Sequence, residues 1–159
     1  MIRKIISGAQ TGADQAGLCA AEALGLETGG TVPKGRRTCV GPLSDNVMLR
    51  WNLVEDASFA YPPRTERNVQ DSDGTVIFGN LNSSGSKLTI KLCKKHLKPY
   101  ITNPLSPEEL RNWADVYKLQ VLNVAGNREE TNPGIFANVR DFIIEAFKDG
   151  DKQNELENF

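Results

Sequence analysis

Short apolar runs alternate with longer segments of helical periodicity from one end of this chain to the other, and no other feature narrows its fold as far. Residues 2–7 read as a continuous apolar strand. Residues 13–24 follow as an alanine-rich helix, with Thr11 and Asp14 at capping-box spacing and Gly25 as the stop. A second strand is predicted over residues 28–32, and the stretch PKGRRTCVGPLSDN after it reads as an excursion on the surface. Pro62 and Pro63 open a helix through RTERNVQDS, and DSDG turns the chain into a strand over residues 75–78. The segment KLTIKLCKKHL fits either period, and its place between two better strands favours helix. PYIT supplies the next strand. SPEEL then starts a helix, with Ser106 as cap, Pro107 in the first turn and Glu109 closing a capping box. LQVLNVAG is the last strand, and Asn132 and Pro133 begin a helix with Ile135, Val139, Phe142, Ile143 and Ala146 on one face.

Strands alternating with helices require right-handed crossovers between parallel neighbours. The expected fold is therefore α/β: a Rossmann-like three-layer α/β/α sandwich with a mainly parallel sheet. One ligand-binding domain is expected over residues 1–150, followed by a polar tail over 151–159. At 159 residues the chain is long enough to bury a core without disulfide or metal staples.

Composition removes several function classes. A net charge of -1 gives no global attraction for nucleic acid or anionic lipid, so anion recognition must come from a local cluster. No apolar run approaches the roughly 20 residues of a membrane helix, and MIRKIISGAQ lacks the pattern of a signal peptide, so a cytoplasmic protein with no membrane partner is expected. Three cysteines without a Cys-x-x-Cys pair, and a single histidine, argue against a disulfide framework and a protein-held metal. Cys19 and Cys93 read as small buried residues on helices, and His96 as an exposed structural residue.

Three glycine-rich loops leave the carboxyl ends of predicted strands and enter helices: SGAQTGAD, GNLNSSGS and AGNREETNPG. Glycine lets backbone N–H groups approach a ligand, and the positive end of a helix dipole favours an anion. SGAQTGAD is neither a Walker A loop nor Gly-x-Gly-x-x-Gly, yet Gln10 and Thr11 add hydrogen-bonding groups that a merely tight turn does not need. Lys34, Arg36 and Arg37 in PKGRR are candidate phosphate contacts. Their patch is short and has no interleaved aromatics, which disfavours nucleic acid. In RTERNVQDSD, Asn68 and Asp71 share a helix face and are placed to orient a ligand or a basic side chain. No Ser-His-Asp, Cys-His or paired-carboxylate spacing demands catalysis.

In these five motifs, IISGAQTGAD, GGTVPKGRR, RTERNVQDSDGTVIF, SSGSKLT and LNVAGNREETNPGI, the chain resembles the molybdenum cofactor carrier family, related to the lysine-decarboxylase-like, cytokinin-activating Rossmann fold. It departs from the family pattern at Ala9, Gln15, Ser84 and Ser86, where glycine, arginine, glycine and threonine are usual. The resemblance implies a non-catalytic carrier that binds and protects the molybdenum cofactor, a phosphorylated pyranopterin whose dithiolene holds the metal. It places Gly8, Gln10, Thr11 and Gly12, then Ser83, Ser84, Gly85 and Ser86, then Gly126, Asn127 and Arg128 in the binding crevice, with Lys34, Arg36 and Arg37 as oxyanion contacts. It also implies a homodimer or homotetramer and, as partners, molybdoenzymes or cofactor-biosynthesis proteins. The alternatives are a nucleotide-binding protein and a nucleoside 5'-monophosphate phosphoribohydrolase. Against the hydrolase, SSGSKLTI lacks the Pro-Gly-Gly start and the glutamate of that enzyme's motif.

Overall fold

Six parallel strands build the main sheet: β1 (Lys4–Ile6), β2 (Glu27–Val32), β5 (Leu53–Glu55), β6 (Gly74–Phe78), β7 (Tyr100–Thr102) and β8 (Val121–Gly126). Two further strands, β3 (Arg37–Thr38) and β4 (Gly41–Pro42), pair antiparallel as a small hairpin. The helices are α1 (Ala13–Leu24), α2 (Asp45–Arg50), α3 (Tyr61–Asp71), α4 (Ser84–Lys95), α5 (Pro107–Val116) and α6 (Ile135–Phe147). The structure is a computed structural model and describes residues 1–149; the tail expected over 151–159 lies outside the described residues.

The sheet order is β5-β2-β1-β8-β6-β7. The chain runs outward from β1 to β2 and β5, crosses to β6 and β7, and returns to place β8 between β1 and β6. Strand order thus reverses at β1, β8 and β6, the place where open α/β sheets bind ligands.

The two faces of the sheet differ in chemistry. On one, Ile5, Val76, Leu122 and Val124 pack with α1, α5 and α6 into the largest apolar cluster, which includes Leu110, Val139 and Ile143. Alternation along the strands sends Thr75 and Asn123 to the opposite face, where Asn123 Nδ2 donates to Thr75 Oγ1 at 3.2 Å. Helices α3 and α4 cover that second face with only a small apolar cluster around Val69, Leu92 and Cys93. A polar strand surface beneath helices that share so small an apolar cluster leaves room for a cavity rather than a core.

The expected three-layer α/β/α architecture is the observed one. The ambiguous segment is helix α4, whose start is fixed by Ser83: its hydroxyl accepts from Ser86 N–H at 3.3 Å. Ser106 caps α5 as expected, but Glu109 reaches Leu105 N–H, one residue before the cap. Five local expectations are corrected. The excursion after β2 contains the β3–β4 hairpin and α2, and β5 follows as an edge strand. The capping box at Thr11 and Asp14 does not form: Gly12 is the N-cap, and Thr11 Oγ1 donates instead to Glu130 Oε2 at 2.7 Å. Helix α6 starts at Ile135 behind Gly134. His96 is partly buried against Glu66, its Nε2 2.7 Å from Oε1, while Cys19 is half-buried where full burial was expected.

Candidate functional site

Strand β1 hands the chain to α1 through a loop fixed by its own small side chains. Ser7 Oγ donates to the Asp14 carbonyl at 2.8 Å and accepts from Ala9 N–H at 3.2 Å. Gly8 is indispensable here for space: a Cβ at that position would stand 1.7 Å from Arg64 Nη1. Arg64, projecting from α3, uses the vacated room to donate to the Gly8 carbonyl. Its Nη1 also lies 4.0 Å from Asp14 Oδ2, and both side chains are buried. Asp14 Oδ2 in turn accepts from Gln10 N–H at 3.3 Å. Burial pushes the Asp14 carboxyl up to about 6, against the opposing pull of Arg64, the Gln10 N–H and Arg128. The same loss of water lowers the pKa of Arg64, offset in part by Asp14 and Tyr61.

Above this pair opens a crevice of about 560 Å³, within the size range of small-molecule sites. Its walls come from α3, from the first turns of α4 and from the loop after β1, and its floor is the carboxyl end of β8 from Asn123 to Arg128. Arg64 Nε is buried on this wall without a hydrogen-bond partner among the described residues. Such a donor is costly unless something else supplies an acceptor. At the mouth, the Tyr61 ring gathers three guanidiniums, with Arg37, Arg64 and Arg128 at 4.6, 5.1 and 5.7 Å from its centroid. The ring's negative face lets like charges share one neighbourhood without an acidic partner for each.

Of the residues expected in the crevice, Gly8, Gln10, Ser83, Ser84, Gly85, Gly126, Asn127 and Arg128 line it. Thr11, Gly12, Ser86, Lys34, Arg36 and Arg37 do not. Several of the expected hydrogen-bonding groups are already used within the protein. Gln10 Oε1 accepts from Thr11 N–H and Cys39 N–H at 3.1 and 3.0 Å, tying the β3–β4 hairpin to the α1 entrance. Asn127 clasps the loop after β6: its Oδ1 accepts from Asn80 N–H, and its Nδ2 donates to Asn80 O and Ser83 Oγ at 3.1 and 3.3 Å. Gly12, at φ +83, allows α1 to meet the loop after β8, because a Cβ there would be 2.3 Å from Asn127 O. Ser86 Oγ is buried without a partner among the described residues. Asn68 grips the backbone of β2 through Thr31, accepting at 2.8 Å and donating at 3.0 Å. It also lines the crevice, whereas Asp71 on the same helix is exposed.

The three cations of PKGRR divide. Arg36 is held by Glu55, Nε to Oε1 at 2.7 Å, and by Asp45. Arg37 Nη2 donates to the Phe59 carbonyl at 3.0 Å, and Lys34 Nζ sits 5.1 Å from the Phe59 ring centroid. The sequence reading missed Arg64, Asp14 and Tyr61 as a unit. The signal available was the density of charge in RTERNVQDSD, which pointed to the right helix but to Asn68 and Asp71 on it.

The family described as circularly permutated YpsA SLOG matches residues 5–147. The chain belongs to this family. A crystal structure from Syntrophus aciditrophicus SB, provisionally named a molybdenum carrier protein, is similar at a TM-score of 0.83 and 37% identity, over 92% of this chain and 95% of that one. No curated protein matches. Both findings agree with the resemblance carried by the five sequence motifs. In this SLOG protein no group of three or more His, Cys, Asp or Glu side chains able to hold a metal ion is gathered among the described residues. No helix among them is long and apolar enough to cross a membrane.

Proposed function

We propose that the crevice binds a phosphorylated small molecule, and that this molecule is the molybdenum cofactor, carried rather than transformed. The observation behind this reading is Arg64: a buried guanidinium on the crevice wall with Nε unpaired, among three strand-to-helix loops whose N–H groups favour an anion. The name of the Syntrophus protein supports molybdenum as the cargo's metal. The donor set fits such a cargo. A pterin that brings its own sulfur ligands asks the protein for cations and amides, which Arg64, Arg128 and the Gln10 Nε2 group supply. Arg64 and Arg128 would hold the phosphate, and the polar floor at Asn123 would face the heterocycle.

A second reading, a nucleotide-binding protein or phosphoribohydrolase, has one specific support: a carboxyl in the crevice, Asp14, that titrates near 6 and so exchanges protons at physiological pH. Anaerobic titration with the molybdenum cofactor, with AMP and molybdate as competitors, separates the two. Saturable stoichiometric cofactor binding that AMP does not displace supports the carrier. Preferential AMP binding with release of ribose 5-phosphate supports the hydrolase and refutes the carrier.

A further inference from the structure

The PKGRR loop stands outside the crevice wall, yet it is built as firmly as the crevice. Lys34 N–H donates to Ser58 O at 2.8 Å, Arg36 N–H to Pro33 O at 2.9 Å, and Leu43 N–H to Arg36 O at 2.9 Å. Glu55 closes the loop from below, accepting from Gly35 N–H at 3.1 Å and from the Arg36 side chain. Arg36 is therefore consumed in shaping the loop. Lys34 and Arg37 form no ion pair within 4.0 Å among the described residues, so two cations stand ready on a preformed frame.

Between this loop, the β4 segment Gly41–Pro42 and the Phe59 ring lies a cleft of about 290 Å³. Phe59 is 63% exposed in it. A large aromatic ring left open beside two unpaired cations is the combination that takes a planar group carrying negative charge, by stacking and by charge together. Arg37 joins the cleft to the crevice. Its guanidinium holds the Phe59 carbonyl on one side and lies against Tyr61, which lines the crevice, on the other.

We propose that the cleft is a second subsite, which receives the nucleotide half of a pyranopterin cofactor extended through a diphosphate bridge. The proposal rests on the carrier reading above. The pterin half occupies the crevice, the bridge crosses Tyr61 and Arg37, and the base packs on Phe59 with the outer phosphoryl charge between Arg37 and Lys34. The motif that the crevice leaves unexplained thereby selects the longer cofactor over the shorter one.

The test compares anaerobic binding of the molybdenum cofactor with binding of its guanine dinucleotide form, for the natural protein and for the exposed-site variants Phe59→Ala and Lys34→Gln. The dinucleotide form is expected to bind about tenfold more tightly or better. Each variant is expected to erode that advantage and to leave affinity for the short form unchanged. Equal affinity for the two forms, tighter binding of the short form, or variants that weaken both forms alike would each overturn the subsite and leave the carrier reading standing. Failure of the natural protein to bind either form would overturn both. Far-UV circular dichroism confirms that the variants are folded.

Discussion

Arg64 Nη1 stands 4.0 Å from Asp14 Oδ2, with the two side chains only 9% and 12% exposed. The contact is long for an ion pair, and burial outweighs it: the carboxyl titrates near 6 rather than at its ordinary 3.8. The folded state thus holds the Asp14 proton more tightly than the unfolded chain does. Its contribution to stability is complete below 3.8 and is lost as pH rises through 6. Urea unfolding of the natural protein and of Asp14→Asn at several pH values is expected to show this. Between pH 5 and 7 the natural protein should lose about 1 kcal/mol relative to the variant. A difference that stays constant across that range would contradict it.

Arg64 itself should matter most to the ligand. Replacement by Gln keeps a hydrogen-bonding group but removes the charge, and affinity for a phosphorylated ligand is expected to fall about 10- to 100-fold, or roughly 1.4–2.8 kcal/mol. Isothermal titration with the cofactor or with AMP reads the change. Unaltered affinity in a folded Arg64→Gln protein would remove this guanidinium from the site.

Gly12 is where α1 and the loop after β8 touch. Ala at this position needs both a φ of +83 and a Cβ 2.3 Å from Asn127 O, so the two elements must move apart. Gly12→Ala is expected to cost about 2 kcal/mol or more of stability, and to weaken ligand binding along with it. A denaturation midpoint equal to the natural protein's would show that the junction is slack.

The thiols should differ sharply in reactivity. Cys39 is exposed and its Sγ lies 2.8 Å from Glu130 Oε2, whereas burial raises the pKa of both Cys19 and Cys93. Ellman's reagent is expected to titrate Cys39 first in the native protein, half-buried Cys19 more slowly and Cys93 only on unfolding. Peptide mapping that found Cys93 labelled at the same rate would show that α4 opens readily.

What could be read from the sequence was what depends on near neighbours. The helix α5 signal, Ser106-Pro107 with Glu109, is local chemistry, and the alternation of apolar runs with helices fixed the layer architecture. Strand β5 was invisible because three residues, Leu53, Val54 and Glu55, are too few to show a period. The crevice loops were legible because glycine and small hydroxyls cluster where strands end. Arg64 was not, since its partners Gly8 and Asp14 lie 56 and 50 positions away in the chain, and only the fold brings them together. PKGRR was read as one patch for the same reason: nothing in the sequence shows that Glu55 and Asp45 will claim Arg36 and leave Lys34 and Arg37.

The position of β8 in the sheet also sets a timetable. This strand fills the gap between β1 and β6 and provides the crevice floor, yet it follows both of them in the chain. Without residues 121–126, the remaining strands can pair only as two half-sheets, β5-β2-β1 and β6-β7, with facing unpaired edges and no floor between them. The crevice is therefore complete only once β8 is in place. Until then the same gap leaves two neighbouring strand edges, β1 and β6, open to wrong pairing.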